Sequence, residues 1–226
     1  MIETVHSYIE NLIHLFSKHT DPAYSAWSKK YLKNQFEFLG IRTPIRRQLM
    51  KEFIKETGLP PSSQLKEVVF SLWNLPEREY QYAALDILEK KKKDLTPADM
   101  SWLERLLIKK SWWETIDVLS VNIIGYVFSI HPELIPLYSD QWIEDENIWL
   151  QRSALLYQLK YKEKTDEKRL FRYILNRAKS DEFFVQKAIG WSLREYAKTS
   201  PEKVKIFVAQ NSLKPLSKRE ALKHLS

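Results

Sequence analysis

Hydrophobic positions recur along this chain at spacings of three and four, the pattern of helices that bury one face. Val5, Ile9, Leu12, Ile13 and Phe16 form such a stripe over residues 2–18. Thr43-Pro44 sets an N-cap before a proline at the first helical position and predicts a helix over 43–56, with Gly58 as its stop. The same reading gives helices over 62–73, 76–92, 97–109, 112–128, 132–143, 147–160, 166–179, 182–198 and 201–210. Ser111 with Glu114, and Ser217 with Glu220, have the spacing of capping boxes, the second opening a terminal helix. The connections are short, as between helices packed side by side.

Several helices repeat. Tyr80-Gln81-Tyr82-Ala83-Ala84, Leu150-Gln151-Arg152-Ser153-Ala154 and Val185-Gln186-Lys187-Ala188-Ile189 align without a gap. Their glutamines stand 70 and 35 residues apart, and the missing beat falls on Ile116. A period near 35 with two helices per unit predicts an all-α solenoid of HEAT-like helix pairs, a single domain over residues 1–226. The positions after each beat are Arg47, Tyr82, Asp117, Arg152 and Lys187, which stacked repeats would align in one row.

Composition narrows the picture. Four glycines in 226 residues are few for the turns of a β-rich fold. The absence of cysteine excludes a disulfide framework and thiolate metal sites. His6, His14, His19, His131 and His224 show no metal-ligand spacing, so no metal is expected. No Gly-rich phosphate loop and no Ser/His/Asp order stands out, and no cofactor is expected. The chain shows no signal-like start and no apolar run of membrane length, so a cytoplasmic protein without a membrane partner is expected. A net charge of +7 and a pI of 9.3 suit a polyanionic partner, and equally a solvated surface with excess lysine.

Candidate chemistry gathers on Lys110-Ser111-Trp112-Trp113-Glu114-Thr115-Ile116-Asp117. Trp113 and Asp117 are four apart and share a helix face. A carboxylate beside an indole is unusual in so basic a chain, although an anion near a helix N-terminus also favours the helix dipole. Lys187 is four before Trp191, so two tryptophans would flank the carboxylate from neighbouring helices. Trp73, Trp102, Trp142, Trp149 and Trp112 sit among apolar neighbours and are expected in the core. A row of cations with aromatic platforms suits nucleic acid, the cations neutralising phosphates and the rings packing on sugars or bases.

Read as a whole, the chain resembles the bacterial AlkD-type DNA alkylation-repair glycosylases over nearly its full length. The carrying segments are Phe38-Leu39-Gly40-Ile41-Arg42-Thr43-Pro44 with Arg46-Arg47-Gln48; Trp73 to Glu79; Lys110-Ser111-Trp112-Trp113 through Asp117; Asn147 to Arg152; Gln186 to Trp191 with Leu193 to Lys198; and Pro215 to Ala221. The resemblance implies a right-handed HEAT-like solenoid holding duplex DNA in its concave face, and hydrolysis of the N-glycosidic bond of N3- and N7-alkylated purines without base flipping. The catalytic carboxylate falls on Asp117, the sugar-cradling aromatic pair on Trp113 and Trp191, the phosphate-contacting arginine on Arg152 and a tyrosine near the lesion on Tyr31. Arg47, Lys187, Arg194, Lys218 and Arg219 complete the expected DNA-contacting set, in a monomer. Family members have Asp where this chain has Glu114, a position read here as the cap. A non-catalytic DNA-binding or protein-scaffold solenoid is the alternative, and Asp117 argues against it, because a carboxylate centred in a phosphate-binding groove would repel the backbone.

Overall fold

The computed structural model describes residues 4–225. Among these the architecture is all-α, with no strand and a single isolated parallel bridge between Glu37 and Glu77. The chain divides into two compact units, one ending at Leu95 and one starting at Thr96.

The first unit contains α1 (Val5–Ser17), α2 (Pro22–Tyr31), α3 (Thr43–Thr57), α4 (Ser62–Asn74) and α5 (Arg78–Lys91). Helix α1 packs on α3 and α4, and α5 packs on α3 and α4. Leu12, Phe16, Leu72, Trp73, Ala83 and Ile87 are fully buried between them. The expected start of α1 at Ile2 lies outside the described residues. Glu79 is buried and accepts the backbone N–H groups of Leu39 at 3.0 Å, Gly40 at 2.9 Å and Ile41 at 3.1 Å. That turn requires glycine. Gly40 has φ +89°, and a Cβ there would meet the Asp21 carbonyl oxygen at 2.0 Å.

The second unit runs α6 (Met100–Ile108), α7 (Trp113–Val118), α8 (Gly125–Ile130), α9 (Ser139–Trp142), α10 (Ile148–Leu156), α11 (Glu167–Arg177), α12 (Phe183–Tyr196), α13 (Pro201–Gln210) and α14 (Pro215–Leu222). Helices α7, α10, α12 and α14 lie in sequence, each packed on the next, with α9 and α11 against α10 and α13 against α12 and α14. A π-helical segment, Leu119–Ile124, joins α7 to α8 in one continuous helix. That helix, Trp113–Ile130, has 18 residues and a mean hydropathy of 1.2, so by length and composition it is sufficient to cross a membrane, which the sequence reading did not expect of any segment. More than half of it is buried within the fold, the setting of a core helix.

The 35-residue register is visible in the helix starts. Helices α3, α5, α7, α10 and α12 begin at Thr43, Arg78, Trp113, Ile148 and Phe183, each 35 residues after the last. The glutamine beat has a structural cause. Gln81 donates its amide to the carbonyl of Leu75 at 2.9 Å, Gln151 to Asp145 at 2.6 Å and Gln186 to Ser180 at 3.1 Å. In each case the acceptor lies six residues upstream, in the turn entering the helix, so the same side chain closes the same connection three times.

The structure departs from the sequence reading in four further places. Residues 22–31 form a helix that apolar spacing did not reveal, opened by Pro22 and capped by Asp21, which accepts from the Tyr24 N–H at 3.0 Å. The segment 132–143 is not one helix: a 3-10 turn over Pro132–Leu134 is followed by the short α9. Pro136 lies between them and has no N–H to continue a ladder. Neither proposed capping box forms. The N-cap of α7 is Trp112, without a side-chain cap bond, and the Ser111 hydroxyl donates backwards to the Leu107 carbonyl at 2.5 Å. Helix α14 begins three residues early, with Lys214 as its N-cap, and the Ser217 hydroxyl donates across to the Gln186 carbonyl of α12 at 3.0 Å. Of the tryptophans expected in the core, Trp73, Trp102 and Trp142 are buried, while Trp112 and Trp149 are half-buried in a surface cluster.

Candidate functional site

Asp117, Arg152 and Lys187 are each the fifth residue of their helices, α7, α10 and α12. Adjacent packing of α7 and α10 makes the first two neighbours. Arg152 donates from Nε to Asp117 Oδ1 at 2.7 Å and from Nη2 to Asp117 Oδ2 at 2.9 Å. This is the bidentate arrangement that a planar guanidinium makes with a carboxylate. A third bond runs from Arg152 Nη1 to the Phe184 carbonyl at 2.6 Å, with the guanidinium 6.0 Å from the Phe184 ring centre.

The pair is largely out of water. Arg152 is 4% exposed as a residue and the Asp117 side chain 15%. Burial pushes the Asp117 carboxyl above its ordinary range, and the Arg152 guanidinium pulls in the opposite direction. Arg152, expected as the phosphate-contacting arginine, is already engaged by protein groups. In the free protein its Nε and one hydrogen of each terminal nitrogen are directed at protein acceptors, and its first office is to hold Asp117.

Trp113 opens α7, one turn before Asp117, and Trp191 lies one turn beyond Lys187 on α12; both are half-buried. Three further aromatic rings lie at the N-terminal ends of α7, α10 and α12. Trp112 is 5.7 Å from Trp149 and 5.3 Å from Phe184 between ring centres, and Trp149 is 5.0 Å from Phe184. Sequence reading missed this cluster, although Trp149 and Phe184 stand 35 residues apart and so occupy equivalent positions of the repeat.

The expected cations are dispersed in environment. Lys187 and Arg194 both reach the carboxylate of Glu220, at 3.0 and 2.8 Å. Lys218 and Arg219 are exposed on α14. In the first unit Arg47 is exposed on α3, whereas its neighbour Arg46 is buried against Asp86. Tyr31 ends α2 and is 58% exposed, stacked on Trp27, itself 54% exposed, at 5.2 Å; Trp27 stacks in turn on Tyr24 at 5.3 Å. Arg42 covers Tyr24 at 4.6 Å. This aromatic column escaped the sequence reading because the helix that carries it did. Among the described residues no group of three or more His, Asp or Glu side chains is arranged to hold a metal ion.

The geometry defines a class: a helical-repeat protein with a bidentate carboxylate–guanidinium pair in register across two neighbouring repeats. Comparison with known proteins gives that class a family. Residues 12–225 match the family described as DNA alkylation repair enzyme, and the chain belongs to it. It is similar to a predicted DNA alkylation repair enzyme from Enterococcus faecalis, at 34% identity and a TM-score of 0.86 over 92% of this chain and 97% of that one. It also shares its fold with the smu.31 protein of Streptococcus mutans, at 17% identity and a TM-score of 0.60 over 80% of this chain and 98% of that one. A search of curated proteins finds no significant match.

Proposed function

We propose that this protein is a monofunctional DNA glycosylase that hydrolyses the N-glycosidic bond of cationic N3- and N7-alkylated purines in duplex DNA and leaves an abasic site. The observation that carries the reading is Asp117, a carboxylate sequestered from water, gripped at both oxygens by Arg152 and one helical turn from Trp113.

Alkylation at N7 or N3 gives the purine a positive charge. When the bond from C1′ to the base breaks, the electron pair neutralises that charge, so the leaving group needs no protonation. The remaining task is to stabilise the oxocarbenium-like sugar and admit water. A fixed carboxylate does this by charge complementarity and accepts a water proton as oxygen adds to C1′. Indole faces are negative and suit a cationic sugar, the role proposed for Trp113 and Trp191. Arg152 holds the carboxylate in one orientation, and its two remaining N–H groups are suited to a phosphate oxygen beside the lesion. Because the proposed contacts are to sugar and backbone, the base need not be flipped, and bulky cationic adducts would be admitted. Tyr31, Arg47, Lys187, Arg194, Lys218 and Arg219 are proposed as the wider DNA-contacting set. We place the protein in the bacterial cytosol, acting as a monomer without cofactor.

One observation favours the alternative of a non-catalytic DNA-binding or scaffold module: both Asp117 oxygens already have a partner, so the pair would also serve as a staple between α7 and α10. Release of free base decides between them. Incubation with methylated duplex DNA should liberate 7-methylguanine, while uracil, a neutral leaving group, should stay in place. Binding without release of methylated base would refute the glycosylase reading.

A further inference from the structure

Glu220 is a carboxylate set among the basic residues of α14 and α12, and it contacts two of them. Its Oε1 lies 3.0 Å from Lys187 Nζ and its Oε2 2.8 Å from Arg194 Nη1. Lys187 and Arg194 are seven residues apart, two turns along one face of α12, and Glu220 reaches both from α14. Its sequence neighbours Lys218 and Arg219 are exposed. The position of the carboxylate is fixed from below. A Cβ on Gly190 would come within 2.4 Å of the Glu220 Cβ, so the two helices touch backbone to side chain there, and Ser217 bonds the Gln186 carbonyl one turn earlier.

The three side chains differ in access. Glu220 is 14% exposed, but Lys187 is 37% exposed and Arg194 23%. Both cations can therefore be reached by an anion from solvent while their present partner is held in the helix interface. Partly exposed ion pairs are worth little net free energy, so exchanging a carboxylate for another oxyanion costs little. The two positive neighbours also hold the Glu220 carboxyl below its ordinary range, so it stays ionised and retains its grip at neutral pH.

We propose that Glu220 is a latch for the α12 cations: it holds Lys187 and Arg194 in the free protein and on undamaged duplex, and surrenders them to DNA backbone phosphates only when a lesion is engaged. This rests on the DNA-contacting part of the proposed function and assigns Glu220 a positioning role rather than a catalytic one. The latch would keep two cations from fixing the protein on undamaged duplex, which matters for an enzyme that must leave most of the DNA it meets. Electrostatic attraction to phosphates is indifferent to sequence and lesion, so each cation withheld lowers non-specific residence.

The test is Glu220→Gln in the full chain, which keeps the shape against Gly190 and removes the charge. Affinity for a fluorescein-labelled undamaged duplex is measured by anisotropy across a KCl series, with melting temperature and 7-methylguanine release in parallel. The latch predicts binding roughly threefold to tenfold tighter at low salt, and a salt slope steeper by up to about 0.9 for each cation freed. Lys187→Gln in the same background should remove its share of the added slope. An unchanged slope with excision intact, whether or not the melting temperature falls, would mean that Glu220 only ties α12 to α14; the latch is then overturned and the glycosylase reading stands. A steeper slope in a protein that releases no base would uphold the latch and sink the glycosylase. Failure of both proteins to bind duplex would overturn both.

Discussion

Replacing Asp117 by asparagine separates a catalyst from a staple, because the two roles predict opposite behaviour in a second variant. Asparagine is nearly isosteric and keeps one oxygen to accept from Arg152 Nε. It replaces the other oxygen, now 2.9 Å from Arg152 Nη2, with an NH2 group, so donor faces donor. Arg152, 4% exposed, is left with its charge uncompensated. Breaking a buried pair by removing one partner costs about 3–5 kcal/mol. The surviving hydrogen bonds to the new amide oxygen and to Phe184, and the relief of carboxylate desolvation, reduce this to roughly 1–3 kcal/mol, a melting temperature lower by roughly 3–10 °C for a chain of this size. The loss in catalysis is separate: removing a preorganised charge from a cationic transition state should slow excision by about 10²-fold, near 2.7 kcal/mol. The assay is single-turnover release of 7-methylguanine well below both melting transitions, with spontaneous depurination subtracted. The double variant Asp117→Asn/Arg152→Gln then decides. It removes both charges, so stability should recover toward that of the parent, while excision stays as slow as in the single variant. Excision returning together with stability would refute the reasoning, because Asp117 would then matter only as a strut.

Four further outcomes are expected from the same geometry. The Asp117 carboxyl is raised by burial, and the proposed chemistry needs it ionised, so the single-turnover rate should fall as pH drops through a midpoint above the usual aspartate value of about 3.9; a rate that is flat down to that value would contradict it. For stability the sign reverses: the folded state holds this proton more tightly than the unfolded chain, so the contribution is largest in acid and is lost as pH rises through the folded midpoint, a slope that Asp117→Asn should remove from the melting profile. Trp191→Ala should lose excision with little change in melting temperature, whereas Trp73→Ala, at a fully buried site, should cost about 3–5 kcal/mol, and similar melting losses in the two would make Trp191 a core residue. Gln151→Ala should lower stability by about 0.5–1.5 kcal/mol by removing the shorter of two hydrogen bonds to the Asp145 carbonyl, which keeps the bond from Arg177, with excision measured below the transition unchanged.

What could be read from the sequence was what repeats. The register at 35 residues is shared by five helix starts, and the turns entering three of those helices are closed by the same glutamine. Helix α2 was invisible for the converse reason. Its aromatic residues Trp27 and Tyr31 face solvent and Ser28 is its only buried residue, so it has no apolar stripe to detect; Asp21-Pro22 was the available signal. The capping boxes failed because serine and glutamate at the right spacing leave the hydroxyl a choice of acceptors. Ser111 found the last turn of α6, and Ser217 found α12. The candidate residues Asp117 and Arg152 follow from the register as members of one row, but their mutual bonding does not. A row of equivalent positions was read as side chains pointing in parallel toward a ligand. Asp117 and Arg152, 35 apart on packed helices, instead face each other and close into a pair, while Lys187 turns to Glu220.

The site stands where the repeat departs from its own rule. The fourth residue of the register helices is a glutamine in α5, α10 and α12. In α3 it is Arg46, paired with Asp86. In α7 it is Ile116, fully buried, immediately before Asp117. The same helix is the one that runs into the π-helical segment at Leu119–Ile124, and it needs glycine at position 125, where a Cβ would lie 2.2 Å from the Tyr157 carbonyl oxygen of the neighbouring turn. A π-segment adds a residue to a helical turn and so rotates the residues before it relative to those after it. Here Trp113 and Asp117 stand before the segment, and the core-forming Val127 and Phe128 stand after it. The ladder irregularity thus frees the orientation of Trp113 and Asp117 from that of the packed residues beyond it. An array that only stacked would have no use for that freedom, since glutamine at 116 and an unbroken α-helix would close the turn as they do in α10. Functional sites are where local rules are commonly broken, and in this chain the breaks converge on the helix that carries the proposed catalytic carboxylate.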